Sequence, residues 1–174
     1  MSLKHAVLGV LAEGEASGYD LVKLFNTSLA NAWPATQSQI YTELTKLADA
    51  ELITVSSTGP RGRKQYAITD AGRAELRYWI TETPSRPDRR SEALLRVFFL
   101  GQVEPAEATR YLAGLAERAQ RDLAELRELR DRIDWDSGHN FSRYGRIALE
   151  FGLRLAEMRG EWARWAEHRL DSDE

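Results

Sequence analysis

The chain has 174 residues, enough for one large or two small domains, and its 43% hydrophobic and 29% charged residues are normal for a soluble globular protein. It contains no cysteine, which excludes disulfides, cysteine–zinc sites and thiol catalysis and fits a reducing cytoplasm. The net charge is −3, and residues 1–80 hold eight basic and eight acidic residues, so the composition does not favour tight non-specific binding to nucleic acid.

Neither a membrane span nor a secretion signal is predicted. The sequence has no stretch of about 18 or more apolar residues. The short apolar run near the N-terminus is followed by Glu13 and Glu15, which a signal peptide would not carry there. We therefore expect a cytoplasmic protein with no membrane partner.

Two helices are predicted at the start of the chain. The first covers Ser2 to Ala12, and the second runs from Ser17 or Gly18 to about Leu29. The apolar stripe of the first helix consists of Leu3, Ala6, Val7, Val10 and Leu11. His5 has no companion at metal-ligand spacing and is expected at the surface or against a partner. Tyr19 is expected in the core, with a role as a phosphate donor as the alternative.

A third helix is predicted over Thr36 to Ala50, after a turn in which Trp33 is expected to anchor against the core. Thr36 is a favourable N-cap, and Gln39 follows three residues later, which is the pattern of a capping box. At about 100° per residue, one face of this helix is apolar and consists of Ile40, Leu44 and Leu47. The opposite face and its flanks are polar and carry Gln37, Ser38, Gln39, Tyr41, Thr42, Thr45 and Lys46.

The polar face of the third helix has the chemistry of a DNA-contacting surface. Its amides and hydroxyls can donate and accept hydrogen bonds at base edges, and Lys46 can neutralise a phosphate. An ordinary solvated helix face would look the same, so the helix alone leaves both interpretations open.

A β-hairpin with a basic tip is predicted next. Leu52 to Ser56 and Gln65 to Thr69 have strand-type residues, and Ser57 to Lys64 contains Gly59, Pro60 and Gly62 and must turn. The turn carries the cations Arg61, Arg63 and Lys64, with no acid between Thr54 and Ile68. Such a tip can contact phosphates or the minor groove, although a solubilising loop is the alternative. Helix, hairpin and helix in this order indicate a winged helix-turn-helix.

A fourth helix and a linker complete the N-terminal domain. Asp70 is expected to cap a helix over about Ala71 to Thr81, whose inward side chains are Leu76, Trp79 and Ile80. Residues 83–90 contain two prolines and no apolar residue. We therefore predict a DNA-binding domain at 1–82, a linker at 83–90 and a second domain at 91–174.

The second domain is predicted to consist of one short and two long helices. Ser91 caps a very apolar helix that should be buried on several faces, and a long helix begins at Pro105. The last helix covers about Phe141 to Leu170, with a 3–4 repeat formed by Phe141, Tyr144, Ala148, Phe151, Leu155, Met158, Trp162 and Trp165. Such a repeat requires a neighbouring helix along its length, and helices this long favour completion of the core by a second subunit.

The N-terminal motifs resemble the PadR family of bacterial transcriptional regulators. The matching residues are SGYDL at Ser17–Leu21, WPATQSQIYTEL at Trp33–Leu44 and GPRGRKQYAIT at Gly59–Thr69, with Gly72, Leu76 and Trp79 at the end of the domain. The rest of the chain is similar, more loosely, to the larger subfamily with a long helical C-terminal domain. The resemblance implies a mostly α fold with a small β-wing, a winged helix-turn-helix and a C-terminal dimerisation domain.

The resemblance also implies a homodimeric repressor on a pseudo-palindromic operator, often with ATGT and ACAT half-sites. DNA contacts are then expected from Gln37, Ser38, Gln39, Tyr41, Thr42, Lys46, Arg61, Arg63 and Lys64. Members of the family often respond to small aromatic molecules, and a pocket for one is expected from Phe98, Phe99, Phe151, Trp162 and Trp165. An aromatic stripe at helical spacing is also typical of an ordinary core.

No catalytic motif, metal-ligand spacing or cofactor motif is present, so neither an enzyme nor a metal or cofactor site is expected. The competing function is a winged-helix module that binds another protein through a dimeric helical scaffold. The neutral charge of residues 1–80 favours that alternative, whereas the cationic wing tip and the acid-poor helix face favour DNA.

Overall fold

The computed structural model describes residues 2–27, 29, 33–85, 90–133, 135 and 140–172. The helices are α1 (Ser2–Glu13), α2 (Gly18–Thr27), α3 (Gln37–Asp49), α4 (Asp70–Thr81), α5 (Glu92–Phe98), α6 (Pro105–Arg132) and α7 (Asn140–Ser172). The strands are β1 (Ala16–Ser17), β2 (Ile53–Thr58) and β3 (Lys64–Ile68). The chain divides into two compact units, the first containing Met1–Pro84 and Ile133–Gly145, the second containing Ser85–Arg132 and Arg146–Glu174. The predicted mostly helical fold with a small sheet is confirmed.

The core of the first unit joins the first three helices to one strand. Its buried side chains are Val7, Leu8 and Leu11 of α1, Leu21 and Phe25 of α2, Ile40, Leu44 and Leu47 of α3, and Ile53 of β2. The predicted buried face of α3 is therefore confirmed in full. In α1 the predicted stripe omitted Leu8, which is completely buried, and included Val10, which is only partly buried.

The sheet has three antiparallel strands in the order β1–β3–β2, where two were predicted. The missed strand, β1, pairs Ala16 with Tyr66 and Ser17 with Gln65. Two residues carry too little periodicity to be recognised as a strand from sequence. The turn is also shorter than predicted, because Lys64 already belongs to β3 and the tip is a 3-10 turn over Pro60–Gly62. Gly62 has a φ of 76°, the left-handed region that favours glycine.

Three predicted core positions are wrong. Ile80, in the last turn of α4, is 64% exposed, and Trp33 is 41% exposed, so neither anchors the core. Tyr19 is 66% exposed. The N-cap of α4 is Thr69, whose hydroxyl accepts from the backbone N–H of Gly72 at 3.1 Å, and Asp70 is the first residue inside the helix.

His5 lies buried inside the first unit, whereas it was expected at the surface or against a partner. Its ring stacks on Trp79 at a centroid distance of 4.5 Å, and its Nε2 lies 3.2 Å from Glu75 Oε1. Lys4 Nζ donates to the same oxygen at 2.7 Å. The hydrogen bonds from Lys4 and His5 lower the pKa of Glu75. The cluster joins α1 to α4, which no spacing within one helix could have indicated.

In the second unit, α7 has two apolar faces. Its buried residues follow a 4–3 repeat of Leu149, Leu153, Ala156, Gly160 and Ala163. This stripe meets α6, since a Cβ added to Gly160 would lie 3.6 Å from the Cβ of Ala119. At about 100° per residue, Ile147, Phe151, Met158 and Trp165 lie on the opposite side, and all four are more than half exposed.

The predicted aromatic repeat is therefore not the contact of α7 with its own chain. Tyr144, Ala148, Phe151, Met158 and Trp165 of that repeat are exposed, Leu155 and Trp162 are half-buried, and the side chain of Phe141 lies outside the described residues. The expected burial of the short apolar helix is likewise wrong for a single chain. None of the α5 residues is buried, and Phe98 is 86% exposed.

Among the predicted segments, residue 28 of the second helix and residues 86–89 of the linker lie outside the described residues, and so do residues 136–139 before α7, which include His139. No helix of the described chain is long and apolar enough to cross a membrane.

We predict that Gly72→Ala destabilises the first unit. A Cβ at this position would lie 2.1 Å from the carbonyl oxygen of Leu52, and backbone cannot yield as a side chain can. The free energy of unfolding should fall by about 1–3 kcal/mol, as measured by urea unfolding followed by circular dichroism. Gly9→Ala in α1 is the control: nothing lies within 4 Å of its added Cβ. It should be neutral or gain about 0.5–1 kcal/mol, and equal losses would contradict the prediction.

Candidate nucleic-acid interface

The N-terminus of α3 is fixed by the predicted capping box. Thr36 Oγ1 accepts from the backbone N–H of Gln39 at 3.3 Å, and Gln39 Oε1 accepts from the backbone N–H of Thr36 at 2.9 Å. Because the apolar face is buried in the core, the polar face is turned to solvent. Every predicted contact residue on α3 is exposed: Gln37, Ser38, Gln39, Tyr41, Thr42 and Lys46.

These exposed side chains are not equally available to a ligand. Gln39 is engaged in the cap, Ser38 Oγ lies 3.1 Å from Thr36 Oγ1, and Thr45 Oγ1 donates to the carbonyl oxygen of Tyr41 at 3.1 Å. Within the described chain, three others make no hydrogen bond or ion pair: Gln37, Thr42 and Lys46. These three side chains carry an amide, a hydroxyl and an ammonium group, which are groups that bind base edges and phosphates.

Tyr41, on the flank of α3, lies over Gly18 at the start of α2. A Cβ added to Gly18 would lie 2.6 Å from Tyr41 Cε1, so the close approach of the ring requires glycine. Burial raises the pKa of Tyr66 on β3, and the nearby Tyr41 hydroxyl adds to that effect. Tyr41 is still 42% exposed as a whole residue.

Tyr19 is exposed because of its position on α2. The buried side of this helix is formed by Gly18, Leu21 and Phe25, and Tyr19 lies about 100° away from Gly18 around the axis. Its hydroxyl is therefore free of the core, which leaves the phosphate-donor interpretation as a prediction.

The wing tip is bound to the start of α2 by an ion pair that the sequence did not indicate. Arg63 Nη2 donates to Asp20 Oδ2 at 2.8 Å, and both side chains are about half exposed. The same carboxylate oxygen accepts from the Ser17 hydroxyl at 2.6 Å and from the Ser17 backbone N–H at 3.1 Å. These bonds, led by that of the Ser17 hydroxyl and assisted by Arg63, lower the pKa of Asp20.

Of the other two wing cations, one lies on β3, the central strand of the sheet, and one lies in the 3-10 turn of the tip. Lys64 is exposed at the start of β3, opposite Thr58, and the side chain of Arg61 lies outside the described residues. Glu15 Oε2 accepts from Ser56 Oγ of β2 at 2.7 Å. Two carboxylates, Glu15 and Asp20, therefore contact the wing from the segment around β1.

The predicted effector residues do not form one pocket in this chain. Phe98, Phe99, Phe151 and Trp165 are all at least 60% exposed, whereas Trp162 is half-buried and lines a cavity. That cavity, of about 730 Å³, lies among α5, α6 and α7 of the second unit. Its lining consists of Ser91, Glu92, Ala93, Leu94, Arg96, Tyr111, Leu115, Arg118, Ala119, Asp122, Leu155, Met158, Arg159 and Trp162.

The cavity combines aromatic and apolar walls with arginines. Arg96 is paired with Glu92 one turn earlier in α5, whereas Arg118 and Arg159 have no ion-pair partner in the described part of the chain. Its volume is that of a typical small-molecule site. Among the described residues, no group of three His, Asp or Glu side chains is placed to hold a metal ion.

Comparison with known proteins agrees with this geometry. Residues 7–78 match the family model "Transcriptional regulator PadR-like family", and residues 89–171 match "Virulence activator alpha C-term". The negative transcriptional regulator PadR of Bacillus subtilis is 36% identical over 128 residues, which cover 71% of this chain and 70% of that protein.

Two solved structures of Bacillus subtilis PadR have the same fold as this chain. The complex with operator DNA has a TM-score of 0.83 and 29% identity, and the match covers 98% of this chain and 99% of that one. The complex with p-coumaric acid has a TM-score of 0.80 and 30% identity, with coverage of 97% and 98%.

We predict that Gly18→Ala impairs DNA binding with little loss of stability. The added Cβ meets the far end of the Tyr41 side chain, which can rotate away at little cost in free energy. In Gly72→Ala, by contrast, the added Cβ meets backbone, which cannot move in this way. The displaced hydroxyl should cost several-fold in affinity, since one hydrogen bond is worth about 1 kcal/mol. Fluorescence anisotropy on duplex DNA and a thermal unfolding curve measure the two effects. In a Tyr41→Ala background the substitution should have no further effect on affinity, and a full additional loss would contradict the mechanism.

Proposed function

The chain belongs to the PadR-like family of transcriptional regulators, and from that premise we propose that it is a DNA-binding repressor that acts as a homodimer. The observation that carries the proposal is the exposed face of α3. Its buried stripe turns outward a set of polar side chains between Gln37 and Lys46, on the same unit as the cationic wing. The one acid in that stretch, Glu43, is only partly exposed. The operator complex of Bacillus subtilis PadR supports DNA as the ligand.

The availability of the side chains suggests how the contacts are divided. Gln37 and Thr42 would read base edges, while Tyr41, on the flank of the helix, and Lys46 would contact the DNA backbone. Ser38 and Gln39, which support the cap, would approach the DNA through what remains of their hydrogen-bonding capacity. The wing contacts, from Arg61, Arg63 and Lys64, would fall on flanking phosphates or the minor groove.

Homodimerisation follows from the uncovered apolar surface of the second unit. The outer face of α7 exposes Phe151, Met158 and Trp165, and α5 exposes Leu95 and Phe98. Large exposed apolar side chains on two helices that line one cavity are typical of an interface in a soluble protein. A second copy would cover it, and the dimer would place two copies of α3, the recognition helix, on a pseudo-palindrome. We assign residues 1–82 to DNA binding, 83–90 to a linker and 91–174 to dimerisation and effector binding.

We propose that a small aromatic carboxylate releases the repressor by binding in the cavity of the second unit. The p-coumaric acid complex of Bacillus subtilis PadR supports this class of ligand. Arg118 and Arg159 would pair with the carboxylate, and Trp162 would contact the ring. This assignment moves the effector site away from Phe98, Phe99, Phe151 and Trp165, which we place in the dimer interface instead.

A repressor of this kind binds its ligands without transforming them, so we propose no enzymatic activity. The family match to transcriptional regulators supports this view. Because such a protein acts on the genome, we propose a cytoplasmic location.

We predict that Lys46→Gln weakens DNA binding and flattens its salt dependence by about one unit of slope, since each neutralised phosphate contributes about 0.9. The measurement is fluorescence anisotropy across a salt series, on a duplex that the wild-type protein selects from a random library and on a scrambled version. The control is Arg77→Gln: Arg77 is an exposed cation on α4 and should leave the slope unchanged. Failure of the wild-type protein to select any duplex would contradict the proposed function itself.

We predict that Arg159→Gln weakens the binding of p-coumaric acid about ten-fold, because a hydrogen bond to a charged group is worth about 1.5–3 kcal/mol. Isothermal titration calorimetry measures the affinity. Arg154→Gln is the matched control, because Arg154 is on the same helix but outside the cavity and pairs with Glu150. Equal binding of the methyl ester of p-coumaric acid would show that no carboxylate is recognised and would contradict the assignment.

A further inference from the structure

The four residues Ser17–Asp20 touch both elements that are proposed to contact DNA. We call them the support segment. Ser17 belongs to β1 and pairs with Gln65 of β3, so it is hydrogen-bonded into the sheet from which the wing extends. Gly18 lies under the ring of Tyr41, so the same segment also contacts the flank of α3. The spacing between the recognition helix and the wing therefore depends on these residues.

Asp20 connects the support segment to the wing tip. Its carboxylate is held in place by two hydrogen bonds from Ser17, which is 1% exposed, and the third bond to the same oxygen comes from Arg63. Arg63 follows the 3-10 turn of the tip, where its carbonyl oxygen accepts from the backbone N–H of Gly59 at 2.7 Å. The carboxylate of Asp20, fixed by Ser17, therefore holds the wing tip through the guanidinium of Arg63.

The negative charge of Asp20 should repel DNA, so its position next to the wing requires a separate explanation. Asp20 is about half exposed on the side of the molecule that carries the cationic wing, and it neutralises one of the cations proposed to contact phosphate. The two atoms of the bond belong to residues 43 positions apart, so the pair does not stabilise a local turn. It fixes the wing relative to α2, and Arg63 remains about half exposed and keeps other N–H groups for the DNA.

We infer that Asp20 is a positioning residue for DNA recognition, which holds Arg63 and with it the wing at a fixed distance from the recognition helix. The inference rests on the proposed function. Its consequence is that Asp20 increases the discrimination between operator and other DNA while it lowers the net positive charge offered to any duplex. A fixed contact can match one register of phosphates, whereas a loose cation attracts every sequence alike.

The first test measures, without DNA, whether Asp20 holds the wing in place. In the full-length protein, Asp20→Asn keeps an oxygen for the two Ser17 donors but removes the charge that binds Arg63. Amide exchange of Gly59, measured by NMR, should accelerate about two- to five-fold, the range expected for loss of a half-exposed ion pair. Glu15→Gln is the matched control, because it removes a neighbouring carboxylate that contacts Ser56 of the wing but no guanidinium. Unchanged exchange in Asp20→Asn, or equal acceleration in both variants, would overturn the inference.

The second test uses the duplex selected by the wild-type protein and its scrambled version, in a salt series. Asp20→Asn and Arg63→Ala should each lower the ratio of the two affinities about two- to five-fold. Their salt slopes should move in opposite directions, steeper for Asp20→Asn and flatter for Arg63→Ala, by about 0.9 each. The double variant should lose no more selectivity than either single variant, because both changes release the same contact.

The outcomes separate the inference from the proposed function. If the wild-type protein selects a duplex but the selectivity losses multiply in the double variant, Asp20 acts independently of Arg63 and the inference is wrong. If Glu15→Gln lowers selectivity as much as Asp20→Asn, only the loss of negative charge matters and the inference is equally wrong. If the wild-type protein selects no duplex, the proposed function fails and takes the inference with it. Thermal unfolding of each variant confirms that the affinities are those of folded protein.

Discussion

Burial of one face of α3 determines which side chains of this helix are exposed and available to a ligand. Ile40, Leu44 and Leu47 enter the core together with residues of α1 and α2, and this contact fixes the rotation of the helix about its axis. A rotation by a single residue, about 100°, would bury Tyr41 and expose the apolar stripe. The polar face is therefore held outward by the same free energy that folds the first unit.

Short-range patterns in the sequence were sufficient for α3, because its cap and its buried stripe both repeat within one or two turns. Short-range patterns do not indicate β1, because its pairing with β3 joins residues about fifty positions apart, such as Ala16 and Tyr66. They also do not indicate the bond between Asp20 and Arg63. The Ser17–Asp20 spacing is that of a helix cap, so the sequence explains why an acid occurs there but not that its carboxylate also binds the wing.

The partner of the aromatic repeat of α7 could not be predicted for a different reason. Both of its apolar stripes have helical periodicity, and the aromatic one gave the stronger signal because its side chains are larger. Within the chain, however, α7 meets α6 at Gly152, beside Leu126, and at Gly160, beside Ala119. Periodicity identifies an apolar face but not the helix that covers it. A helix that is apolar on two opposite sides is accordingly consistent with one neighbour from its own chain and another from a second copy.

The neutral net charge of the N-terminal residues is explained in part by ion pairs inside the first unit. Residues 1–80 contain as many acids as bases, and two of the acids, Asp20 and Glu75, are held by cations within the first unit. A protein that relied on bulk positive charge would bind all DNA and lose that binding steeply with salt. A nearly neutral domain has to obtain its affinity from a few contacts at fixed positions, so the rigidity of the segment between recognition helix and wing becomes part of its specificity. A dimer would increase this specificity, because a pseudo-palindrome is bound tightly only when both DNA-binding domains contact their half-sites at the same time.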